Sequence, residues 1–251
     1  MKYGNWKLLG GIVDGAVHIR QEKPCQDALF LQNGIACVAD GHGSASCPYS
    51  DEGAKAAVEI AAEILAEMAS DIVAHKDIRL PKLIETKWKE AVQAIHAEKG
   101  RELEPNEPFP YILYGTTLIA AAAAESLVFV LQIGDGNILL ADKENARPIL
   151  AVSDSIGEDT ESLCLDEAWT YIRTQIIPWN TQSPAMLLLS TDGYAKSFAD
   201  AAGFVKAGTD IYEIWQNEGI AYVEENLHGW LRTTSDNGSG DDIAMGLMFF
   251  C

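Results

Sequence analysis

Apolar residues recur along this chain at two spacings, and the spacings predict its elements. Trp6 to Val13 reads as a first strand and Ala28 to Leu31 as a second. Ile35 to Ala39 reads as a third, uncharged throughout and so suited to burial on both faces. Between the first two, His18 to Asp27 is polar, contains Pro24 and predicts a loop. Gln32-Asn33-Gly34 carries the turn chemistry of a hairpin leading into the third strand. Ser50 is placed as a helix cap, with Asp51 and Glu52 in the favoured first turn. Val58, Ala61, Leu65, Met68 and Ile72 then follow at helical spacing, giving one buried stripe. A second helix from about Pro81 to Lys99 carries Leu83, Trp88, Val92 and Ile95 on its inner side. Both helices read as scaffold.

After Pro105, Pro108 and Pro110 the period changes to that of strands. Gly115-Thr116-Thr117-Leu118 opens an alanine-rich strand; Leu127 to Ile133 and Asn137 to Ala141 are the next two, joined through Gly134-Asp135-Gly136. Ser153 to Glu167 is acidic and rich in serine, the pattern of a solvated loop. Thr170 to Ile177 and Ala185 to Leu189 are further strands, the second ending in Ser190-Thr191-Asp192-Gly193. Helices are expected around Ile211 to Asn217 and Ile220 to Leu231. Asn237-Gly238-Ser239-Gly240-Asp241-Asp242 then leads into a last strand, Ile243 to Phe250.

Composition narrows the class. With 251 residues, 48% of them hydrophobic, no linker-like stretch and no internal repeat, the expectation is a single domain over residues 1–251. Lys plus Arg total 18 against 37 Asp plus Glu, a formal charge of −19, which argues against nucleic acid or an anionic membrane as partner. Met1 to Gly10 lacks the apolar segment of a signal peptide, and the run from Thr117 to Ile133 is broken by Glu125 and Ser126. Five cysteines without a Cys-x-x-Cys pair read as reduced thiols, hence a cytoplasmic protein. Cys25 and Cys47 flank the motifs of interest, where they read as small packing residues.

The chemistry lies where strands stop. Asp27, Asp40, Asp135, Asp192 and Asp241 each start or end an apolar strand. A single Asp-Gly is a turn signal. Several on one rim would instead be controlled by repulsion, roughly 3 kcal/mol for two carboxylates about 5 Å apart at an effective dielectric near 20. Such a cluster is tolerable only with cations between its members, and all-oxygen donors suit Mg²⁺ or Mn²⁺ better than zinc. His42, in Asp40-Gly41-His42-Gly43, stands one step away and can hold or release a proton near neutral pH.

Read together, Gln26-Asp27, Val38-Ala39-Asp40-Gly41-His42-Gly43, Gly115-Thr116-Thr117-Leu118, Ile133-Gly134-Asp135-Gly136, Leu189-Ser190-Thr191-Asp192-Gly193-Tyr194 and Asp241-Asp242-Ile243-Ala244 resemble, in order, the motifs of the metal-dependent type 2C protein phosphatases, the PPM family. The resemblance runs from about residue 10 to 249. It implies an α+β fold: a four-layer αββα sandwich of two antiparallel β-sheets flanked by helix pairs. It also implies a serine/threonine protein phosphatase whose dinuclear Mg²⁺ or Mn²⁺ centre activates a water for direct attack on phosphorus.

By the same resemblance Asp40 is the carboxylate bridging two ions, and the Gly41 carbonyl is a further ligand. Asp192 and Asp241 complete the second ion, and Asp27 holds a metal directly or through its waters. Asp135, with Asp192, is similar to the pair that takes a third, weaker ion, and His42 matches the general acid. Arg20, seven positions before Asp27, is the candidate for the substrate phosphate. Gln26 stands where many members have Glu or Asn, and Asp242 where Asn is common. The implied partners are a phosphorylated protein and an opposing Ser/Thr kinase. Two other readings use the same scaffold: a catalytically silent regulatory or binding module, and a small-molecule phosphomonoesterase.

Overall fold

A computed structural model describes residues 6–68, 72–103, 105–124, 126–150, 160–179 and 183–251. In chain order the elements are β1 (Trp6–Val13), α1 (Ala16–Arg20), β2 (Asp27–Gln32), β3 (Ile35–Asp40), α2 (Ser50–Glu67), α3 (Ile72–His75) and α4 (Arg79–Glu98). Then come β4 (Leu118–Ala123), β5 (Leu127–Ile133), β6 (Asn137–Asp142), β7 (Ala146–Ile149), β8 (Arg173–Pro178) and β9 (Ala185–Ser190). The chain closes with α5 (Asp192–Ala195), α6 (Ala201–Glu218), α7 (Ile220–Asn237) and β10 (Ile243–Phe250).

The strands make two five-stranded antiparallel sheets, ordered β1-β10-β9-β6-β7 and β2-β3-β4-β5-β8. Three apolar layers hold them in the αββα arrangement that the resemblance implies. Along β3, Ile35, Cys37 and Ala39 pack with Val58, Leu65 and Trp88 of α2 and α4. The alternate residues Ala36 and Val38 face Leu187, Leu189 and Met248 of the other sheet. Met245, Leu247 and Phe249 of β10 turn away from that interface, toward Trp215, Val223 and Leu227 of α6 and α7. A strand between a helix layer and a second sheet has no wet face, which explains why the central strands are continuously apolar. Each large side chain so buried contributes about 1.5–3 kcal/mol.

The hairpin signal has a backbone cause: Asn33 and Gly34 both take positive φ, 51° and 71°, as a type I′ turn requires.

Four expectations need correction. The polar stretch from His18 is not all loop, because α1 occupies Ala16–Arg20 and buries His18. Ser50 is the first residue of α2 rather than its cap, and its hydroxyl accepts from Gln26 Nε2 at 2.6 Å; Ile72 begins the separate helix α3. α6 starts ten residues earlier than expected, at Ala201, capped by Asp200, whose side chain accepts from the Gly203 amide at 2.8 Å. β7 was not expected; it contains Pro148, which an edge strand tolerates because no further strand needs its amide.

The acidic segment from Ser153 is solvated only in part. Residues 151–159 lie outside the described residues, as do 1–5. Ser162, further along, is buried: its hydroxyl accepts from the Thr116 amide at 3.1 Å and donates to the Thr116 carbonyl at 3.0 Å. Ser162 thus satisfies backbone rather than water, while Asp166 and Glu167 stay exposed. Among the described residues no helix is long and apolar enough to cross a membrane, and all five cysteines are free.

Candidate functional site

The site sits where both sheets end on the same side. β2 and β3 pair so that Asp27 lies directly opposite Asp40. Asp40 closes β3, and its backbone is fixed by Thr117: the Asp40 amide donates to Thr117 Oγ1 at 3.0 Å and the Thr117 amide to the Asp40 carbonyl at 2.9 Å. Thr116 Oγ1 adds a bond to that carbonyl at 2.9 Å. The Gly115-Thr116-Thr117 motif therefore holds the strand that carries Asp40.

Gly41 must be glycine for a reason of packing, since a β-carbon there would stand 2.7 Å from the carbonyl oxygens of Gln26 and Ser50. Among the described residues no backbone amide donates to the Gly41 carbonyl. The His42 amide donates to the Gly115 carbonyl at 3.0 Å.

The second sheet supplies the rest. Asp192 opens the short helix α5 directly after β9, and Asp241 precedes β10, the neighbour of β9. Gly193 lets these loops touch, because a β-carbon there would collide with the Asp242 carbonyl oxygen. Asp135 lies in the turn from β5 to β6, where the chain crosses between sheets. Thr191 stitches the halves together: its hydroxyl donates to Asp27 Oδ2 at 2.7 Å and accepts from the Ala244 amide at 2.9 Å.

Asp27, Asp40, Gly41, His42, Asp135, Asp192 and Asp241, far apart in sequence, thus line one cleft of about 680 Å³. Arg20 does not join them; it is exposed on α1 and is not among the residues lining the cleft.

Burial and mutual repulsion set the charges. Burial pushes the Asp27 carboxyl well above the usual range; the Thr191 bond opposes this, and Asp242 and Asp192 reinforce it. Asp40 is raised for the same first reason, then by Asp27 and Asp192. Burial also raises Asp135, with Asp192 adding to it. Burial lowers His42, and the charges of Asp135 and Asp192 pull the other way. Burial likewise pushes the Cys25 thiol up, which fits a packing residue.

Three residues of the site make contacts that the sequence does not show. Asp242 is buried and accepts from the amides of Gly15 at 2.5 Å and Gln26 at 2.8 Å. His18 lines the cleft with Nδ1 2.8 Å from Asp242 Oδ2 and Nε2 3.7 Å from Asp241 Oδ1. Lys196 bonds Asp192 Oδ2 and reaches Asp135 Oδ2 at 3.4 Å. Only the Asp241-Asp242 doublet and the four-residue step from Asp192 to Lys196 were available as sequence signals.

The donor set is one of carboxylates, a backbone carbonyl and a few hydroxyls, which fits a hard divalent ion. Among the described residues, no three His, Cys, Asp or Glu side chains are already drawn into a cage around one point.

The family profile described as protein phosphatase 2C matches residues 14–232, well over half of the chain. The chain belongs to the protein phosphatase 2C family. Among solved structures it is similar to PppA of Pseudomonas aeruginosa, described as a key regulatory component of T6SS: 17% identity, 98% of each chain covered, TM-score 0.65. It is similar also to the catalytic domain of the serine threonine protein phosphatase PstP in complex with 2 manganese ions, at 17% identity, 97% of each chain and TM-score 0.62. A second structure of PstP, from Mycobacterium tuberculosis, matches at 15% identity, again 97% of each chain, with TM-score 0.62. At these identities the similarity shows the shared fold. Among curated proteins none matches by sequence.

Proposed function

We propose that residues 1–251 act as a single PPM-type domain, a cytoplasmic Mg²⁺- or Mn²⁺-dependent phosphatase of phosphoserine and phosphothreonine in proteins, opposing a Ser/Thr kinase. The observation that carries this reading is the meeting of Asp27, Asp40, Asp192, Asp241 and the Gly41 carbonyl in one cleft with His42. Family membership supports it, and so does the shared fold of PstP, solved with 2 manganese ions.

In this reading Asp40 and the Gly41 carbonyl serve as ligands from one sheet, with Asp27 opposite on β2. Asp192 and Asp241 serve from the other. Two divalent ions held there would lower the pKa of a shared water and screen the phosphoryl oxygens. Thr117 and Thr191 keep Asp40 and Asp27 oriented. His42 gives a proton to the departing Ser or Thr oxygen. No side chain is asked to attack phosphorus, so no phosphoenzyme forms. Arg20 contributes to holding the substrate phosphate only if the substrate itself reaches α1.

The test is phosphate release from a phosphothreonine peptide. Release should need Mn²⁺ or Mg²⁺, stop in EDTA and return when the ion is restored. Release that ignores EDTA contradicts the metal reading, and no release under any of the three conditions leaves a silent binding module.

A further inference from the structure

The pair Asp135–Asp192 already has a cation. Lys196 follows Asp192 by one helical turn, at the C-terminal end of α5. Its ammonium bonds Asp192 Oδ2 and stands 3.4 Å from Asp135 Oδ2, while the lysine side chain stays 59% exposed along its length. Asp135 comes from the β5–β6 turn, where the chain crosses between the sheets, and Asp192 from just after β9, the neighbour of β6. Nothing else basic is bonded to either of them among the described residues. A group tethered four residues away competes at high effective concentration with any free ion for the same two oxygens. Lys196 engages Oδ2 of Asp192, and its hydrogen bonds leave the other oxygen of that carboxylate free of the ammonium.

We propose that Lys196 is a built-in counter-ion that takes the place of a third metal between Asp135 and Asp192, so that this chain holds a metal pair and no more. Asp135 is then a partner of Lys196 rather than a metal ligand. The inference rests on the metal-dependent reading above.

The experiment counts Mn²⁺ bound per chain at millimolar free ion, by equilibrium dialysis with the free Mn²⁺ read from its paramagnetic resonance signal. The wild type should bind about two, as two-metal sites do. Lys196→Met should bind about three, the added ion being weaker than the pair. Asp135→Asn alone should leave the wild-type count unchanged, and added to Lys196→Met it should remove the extra ion. Melting curves of each variant check the fold. A wild type that binds a third ion overturns the proposal, as does a Lys196→Met protein that gains none, or an extra ion that survives Asp135→Asn. A wild type that binds no ion defeats the metal reading itself, which separates that failure from failure of the role given to Lys196.

Discussion

Asp40→Asn should lower Mn²⁺-dependent phosphate release from a phosphothreonine peptide by about 10³-fold or more, with the melting temperature held or raised. The size follows from the several kcal/mol that metal ions contribute to phosphoryl transfer, about 1.4 kcal/mol for each factor of ten. Asp40 faces Asp27 across the β2–β3 pair and feels the charge of Asp192. In the proposed centre a neutral amide there would weaken the donor that both ions share, and it relieves repulsion among the carboxylates.

The direction of the carboxyl shifts adds a second readout. Burial raises Asp27 and Asp40, so protons compete with ions as pH falls. The wild type should therefore need less Mn²⁺ for half-maximal rate at pH 8 than at pH 6, and the loss in Asp40→Asn should persist at both. A variant with near-normal rate at saturating Mn²⁺ would remove Asp40 from the centre.

His42→Ala should slow hydrolysis of alkyl phosphates, phosphothreonine included, by about 10²–10⁴-fold, the usual range for a positioned general acid. An aryl phosphate such as p-nitrophenyl phosphate leaves without a proton and should lose far less. The backbone of His42 is anchored by the Gly115 carbonyl and by Gln26 Nε2, 3.5 Å from the His42 carbonyl, so the truncation leaves the loop in place.

The sign with pH can be worked out. Burial lowers the His42 pKa from 6.5, and only the protonated ring can give a proton. The rate ratio of wild type to His42→Ala on an alkyl phosphate should be largest at low pH and shrink as pH rises through that lowered value. Equal losses on alkyl and aryl substrates would assign His42 a structural role.

The central strands were readable because they are buried on both faces, and the half-buried edge strand β1 because its residues are almost all apolar. β1 and β5 run over the same residues that their apolar pattern predicts, and glycines and aspartates mark their ends. α1, with five residues, is too short for a helical period to show, and glycines 203 and 208 dilute the stripe that begins α6. β7 lies at an edge, carries Arg147 and Pro148 and needs only its partner β6.

The candidate site was readable to the extent that its chemistry falls in consecutive residues, as in Asp40-Gly41-His42. Contacts between distant positions left no such trace. The Thr191–Asp27 bond spans 164 positions and the Lys196–Asp135 pair 61, and neither threonine nor lysine is unusual where it stands. His18 reads as loop because its partner Asp242, 2.8 Å away, comes from the far end of the chain.

The central claim is that aspartates from two sheets share divalent ions at the mouth of the sandwich. Anomalous scattering at the manganese edge, from crystals grown with Mn²⁺, tests it most directly. Two adjacent peaks should lie within coordination distance of Asp40, one of them also reached by Asp192 and Asp241. Strong diffraction with no peak in that cleft, or with manganese bound only elsewhere, would contradict it.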